Sequence, residues 1–101
     1  MFDHGSIVIV HLAEPGEKLW GVLDRLDASG VVLRGISLSS LDDWIRQVAG
    51  PGSPSLGLAA VFFPMRRVDR IFLDEQVGEV ESYRQQFQRR VGRSVESYLG
   101  L

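Results

Sequence analysis

The sequence predicts a mainly β fold: a small, bent, five-stranded barrel with two helical attachments, in the order β-β-β-α-β-β-α. Three observations predict it. Five short runs rich in apolar and β-branched residues are separated by turns containing Gly or Pro. The hydrophobic period changes from strand-like to helical in only two places, after Leu38 and from Val77 onward. Gly21 and Pro64 interrupt apolar stretches, as residues do where a sheet bends.

The first run, 6–12, places Ile7, Ile9 and His11 on one strand face and Val8, Val10 and Leu12 on the other. Both faces are largely apolar, as in a strand covered on two sides. A turn follows at Pro15-Gly16. The second strand, 18–27, carries Gly21 at its middle, a mark of bending or of close backbone approach. Asp27-Ala28-Ser29-Gly30 forms a tight turn, in which Asp27 bonds its own backbone and Gly30 supplies conformational freedom. The third strand, 31–38, closes a hairpin with the second.

Ser40 and Asp43 are spaced like a capping box, which predicts a helix over 40–49 with Leu41, Trp44, Ile45 and Val48 on one face. Asp42 and Asp43 are adjacent and so diverge around the helix; they suit its positive end and form no acid–base couple. The run Gly50-Pro51-Gly52-Ser53-Pro54-Ser55 stops this helix and reads as the most flexible part of the chain. Residues 56–64 read as a strand that ends at Pro64, with a bend there before the extended pattern resumes over 65–75. A second helix is expected over 77–91, with Val80, Tyr83, Phe87 and Val91 as its buried stripe. Ser94–Leu99 adds a further turn or two.

The chain has 101 residues, enough for one domain, 1–101, with a single thin core. The formal net charge of −2 gives no field that draws in phosphate backbones. The signs are unevenly distributed, however. Residues 1–50 carry four basic and seven acidic side chains, whereas 51–101 carry seven arginines, no lysine and six acidic side chains. Arginine forms bidentate bonds and stacks on planar groups, which suits interfaces and salt-bridge networks. There is no cysteine, which excludes disulfides, thiolate catalysis and Cys-ligated zinc. The N-terminal residues have neither the basic start of a signal peptide nor the length of a membrane span. A cytoplasmic protein is the expectation.

The stretch from Gly16 to Asp27 (Gly, a bent strand with the internal Gly21, then Val22-Leu23-Asp24-Arg25-Leu26-Asp27), followed by Val31-Val32-Leu33, resembles the first motif of the Sm-like family. Val61–Ile71 is similar to the family's fourth and fifth strands. The resemblance covers residues 6–38 and 58–74. It implies an Sm-like (SH3-like) open barrel that assembles side by side into rings, many of which bind single-stranded RNA. The sequence departs from the family where RNA is read. No Asn follows the motif's Asp, the turn being Ala28-Ser29-Gly30-Val31. Met65-Arg66-Arg67-Val68 stands in place of an Arg-Gly pair. Only about five residues precede the first strand, too few for the helix that usually precedes an Sm barrel, and helix 40–49 is an insertion.

Among residues that could carry chemistry, His4 and His11 are the only imidazoles, and Glu14 is the only carboxylate near His11, so no metal site is expected. No phosphate-binding glycine loop and no Ser/His/Asp set is present, so neither catalysis nor a cofactor is expected. The strongest candidates for contact with a partner are Arg66, Arg67 and Arg70, in a segment where Arg66 and Arg70 are expected on one strand face and Arg67 and Asp69 on the other. Gly21, Asp27, Gly30 and Pro64 are expected to shape the bends and turns. Arg84, Arg89, Arg90 and Arg93 among glutamines are a weak nucleic-acid signal. Phe62-Phe63 put one ring on each side of a strand, and an exposed ring on an edge favours oligomers.

The functional expectation is therefore a non-catalytic, self-associating interaction module, a homo-oligomer. A ring that binds single-stranded RNA is the alternative from another class, and a small-ligand pocket under the 40–49 helix is a third.

Overall fold

A computed structural model describes residues 1–101. Five strands, β1 (Ile7–Leu12), β2 (Glu17–Asp27), β3 (Gly30–Ser37), β4 (Ala59–Pro64) and β5 (Val68–Leu73), form one antiparallel sheet in the order β4-β3-β2-β1-β5. Three helices complete it: α1 (Leu38–Ala49), α2 (Tyr83–Val91) and α3 (Val95–Leu99). This is the mainly β class that the periodicity predicts. No helix is long and apolar enough to cross a membrane.

Both faces of the sheet are covered, which explains the two-sided apolar character of β1. On the inner face, Val8, Val10, Leu12, Leu23, Val31, Leu33 and Phe63 form one core, with Val68, Ile71 and Leu73 of β5 packed against it. Residues from all five strands meet there because the sheet curls on itself. On the outer face, Ile7, Trp20, Val22 and Ile36 meet Leu41, Trp44 and Ile45 of α1, Phe87 of α2 and Val95 of α3. The Trp44 ring centroid lies 5.7 Å from that of Trp20 and 5.4 Å from that of Phe87. Helix α1 thus lies on the sheet at Trp20.

Glycines let β2 and β3 approach closely at their middle. Gly21 and Gly35 are direct cross-strand partners, and a Cβ on Gly21 would lie 2.3 Å from the Arg34 carbonyl oxygen. The register shifts just beyond, between Leu23 and Arg25, as at a β-bulge, which sharpens strand twist.

Several boundaries differ from the sequence reading. Helix α1 starts at Leu38 behind Ser37, not at Ser40; Ser37 makes no side-chain cap, and the first turn holds no acid. Ser40 and Asp43 therefore form no capping box. Asp42 and Asp43 lie deeper in the helix, where Asp43 pairs with Arg46 and Asp42 accepts a hydrogen bond from Arg90 of α2 at 2.6 Å. The chain passes straight from strand to helix because Ile36 is the last residue that the sheet buries.

Helix α2 starts at Tyr83, six residues later than expected. Ser82 and Gln85 form a reciprocal capping box that fixes its first turn. Val77 and Val80 instead bridge to each other, and Val80 is 71% exposed, so it does not belong to the buried stripe. Its spacing from Tyr83 imitates a helical period.

The strand expected over 56–64 is confined to Ala59–Pro64. The preceding loop is tied to α1 by Gln47, whose Oε1 accepts from the Ser55 N–H at 2.8 Å and the Leu56 N–H at 3.2 Å. The extended run expected over 65–75 begins instead with a 3-10 turn at Met65–Arg67. Pro64 does stand at the junction between the two strands.

Candidate interaction surface

Strands β4 and β5 are the two ends of the sheet order and are not paired with each other, so each offers an open edge. Backbone phase identifies the peptide groups that face outward. The Met65 N–H donates to the Ser29 carbonyl at 3.0 Å, which turns Phe63 and Val61 toward β3 and leaves Ala60 and Phe62 on the free edge. Pro64 falls in the outward phase, where its missing N–H leaves no ladder bond unmade. On the other side, the Asp74 N–H donates to the Ile7 carbonyl at 2.9 Å. Phe72 and Arg70 therefore turn toward β1, and Ile71 and Leu73 face outward.

Each edge strand also carries an uncovered ring. Phe63 is buried in the inner core while Phe62 is 49% exposed; Phe72 on β5 is 44% exposed. The split between the rings of Phe62 and Phe63 is the one that strand alternation implies.

The three candidate arginines have different surroundings. Arg67 is a clamp: its guanidinium donates to the carbonyls of Pro15 at 2.9 Å and Ala13 at 3.3 Å, and lies 3.7 Å from Glu17. It holds the β1–β2 turn. Arg70 is paired with its neighbour Asp69 at 3.0 Å. Arg66 is exposed on the 3-10 turn and shares no strand face with Arg70, because the turn breaks the alternation.

The β2–β3 turn lies beside this 3-10 turn through the Met65–Ser29 bond. Asp27 accepts from the Ser29 hydroxyl and from the Ser29 N–H at 2.9 Å. These bonds hold its carboxyl below the usual carboxylate range. Gly30 is required for space: a Cβ there would lie 2.2 Å from the Phe63 carbonyl oxygen.

His11 lies between two cations, with Lys18 of β2 and Arg70 of β5 as its direct cross-strand partners. Its ring packs edge-on against Phe72, with centroids 5.0 Å apart. Burial, then Lys18 and Arg70, push its pKa down, against an opposing pull from Asp69. An open groove of about 1010 Å³ runs past His11, Lys18, Leu19, Ser37, Ser39 and Asp69. It lies at the N-terminal end of α1.

Sequence reasoning missed Asp74, which is followed directly by Glu75 and is 2% exposed. Its carboxylate accepts from Trp20 Nε1–H at 2.9 Å and from the N–H groups of Tyr83 and Arg84 at 2.9 and 2.8 Å. No local signal marks it, since its partners are 9 to 54 residues away.

Compared with protein-family models, with curated proteins and with solved structures, the chain has no match.

Proposed function

We propose that this chain is a non-catalytic, Sm-like barrel that self-associates edge to edge, β4 of one copy meeting β5 of the next. The observation that carries this reading is the pair of open edges, each with outward peptide groups and one uncovered phenylalanine. Open edges template pairing with another chain unless they are blocked. Contact between two different edges is heterologous, and such contacts close into rings when the rotation permits. The five strands also fall on the two stretches that resemble the Sm-like family.

Light scattering on a size-exclusion column tests this reading. A mass of several chains that falls to that of one chain in Phe62→Lys or Phe72→Lys supports it. A monomer in the unaltered protein at high concentration overturns it.

Arg66 favours a second reading, an RNA-binding ring. It is an exposed cation without an acidic partner, on the turn bonded to the Asp27–Gly30 turn. On this reading Arg66→Ala weakens binding of a single-stranded oligoribonucleotide and flattens its salt dependence. Arg67 is a poor probe of it, because its side chain is held by backbone carbonyls.

A further inference from the structure

We propose that His11 makes the edge-to-edge association acid-sensitive, with protonation of its ring opposing docking of a second copy on β5. The inference rests on the self-association reading and names a regulator of the same edge.

The argument starts from the row Lys18–His11–Arg70, three direct partners across β2, β1 and β5. Direct partners share a sheet face, with Cβ atoms roughly 5 Å apart, and like charges so placed repel. A neutral imidazole is accommodated in this row, whereas an imidazolium makes three cations in line. Of the acids nearby, Asp69 pulls toward the charged ring but is outweighed by burial and the two cations, and both Asp69 and Glu17 have other partners. Asp69 is bonded to Arg70, and Glu17, which lines the same groove, faces Arg67. From the end of β3 and the start of α1 the groove receives Ser37, Leu38 and Ser39, none of them charged.

His11 is coupled to the edge through Phe72, whose ring it touches and whose other side is open on β5. A strand laid along β5 covers Phe72 and removes water from the imidazole behind it. Losing that water penalises the charged form of His11 further. Linkage then requires that each proton bound to His11 weakens association, and that association lowers proton affinity by the same factor.

The test is the association constant by sedimentation between about pH 7.5 and about pH 5.5, a range in which histidine titrates and most carboxylates do not. The expected result for the unaltered protein is a fall of about fivefold or more, with His11→Gln associating equally at both ends. The His11 imidazole resonance is also expected to titrate at lower pH in concentrated than in dilute protein, a readout that does not depend on the variant. Association that is flat with pH, an unchanged slope in His11→Gln, or a titration independent of concentration overturns the proposal alone. A monomer at every pH overturns the self-association reading, and this inference with it.

Discussion

The buried carboxylate of Asp74 joins the Trp20 indole to the first turn of α2, accepting one hydrogen bond from the ring and two from the helix backbone. Ser82 accepts the next helix N–H, that of Gln85. The donors that a helix start leaves unpaired are thus met by two side chains. One of these also fixes Trp20, one of the two tryptophans of the outer core, so a single residue ties the end of β5, the middle of β2 and the start of α2 together.

Replacing Asp74 by Ala leaves the indole N–H and two helix N–H groups buried without partners. The expected loss is roughly 2–4 kcal/mol of unfolding free energy. Urea unfolding followed by tryptophan fluorescence measures it, and a loss below about 0.5 kcal/mol contradicts this role.

Gly21 and Gly57 form a matched pair of probes. A methyl group on Gly21 meets the Arg34 carbonyl and the Gly35 Cα, both backbone, whereas nothing lies within 4 Å of a Cβ on Gly57. Gly21→Ala is expected to cost more than about 2 kcal/mol, because β2 and β3 must separate. Gly57→Ala is expected to stay within about 0.5 kcal/mol. Equal melting temperatures for the two variants would show that the strands do not cross this closely.

Neighbouring arginines are expected to behave differently. Arg67→Ala removes two hydrogen bonds to the β1–β2 turn, a loss of roughly 1–2 kcal/mol. Arg66→Ala changes stability by less than about 0.5 kcal/mol. Thermal unfolding of the two single variants checks this, and the reverse order would exclude the clamp.

His11 also sets a sign for stability against pH. Its folded pKa lies below its unfolded value of about 6.5, so the unfolded chain binds the proton more readily. The stability from neutral His11 is complete above the unfolded pKa and is lost as pH falls below it toward the folded value. Dilute protein should unfold at lower urea near pH 5.5 than near pH 7.5, with the difference reduced in His11→Gln. An increase in stability toward acid would refute the assigned cause.

The sequence by itself determined much of this protein. Strand alternation separated Phe62 from Phe63, the Asp27–Gly30 turn was legible from its residue types, and Gly21 and Pro64 marked the close strand approach and the junction. These features depend on neighbours in the chain, and local sterics and periodicity govern them. Helix starts were less legible. The Ser40/Asp43 and Val80/Tyr83 spacings imitate helical signals, but α1 begins where the sheet stops burying side chains, and α2 begins where Ser82 and Asp74 meet its N–H groups.

Only the tertiary structure decided what the charged residues do. Arg67 became a clamp because the sheet brings the Pro15 turn to the 3-10 turn, and Asp74 became buried because β5 lies beside β1. The same fold set His11 between Lys18 and Arg70. The physical reason is that a charged side chain takes its role from the donors and acceptors that the fold assembles around it, and those come from distant parts of the chain.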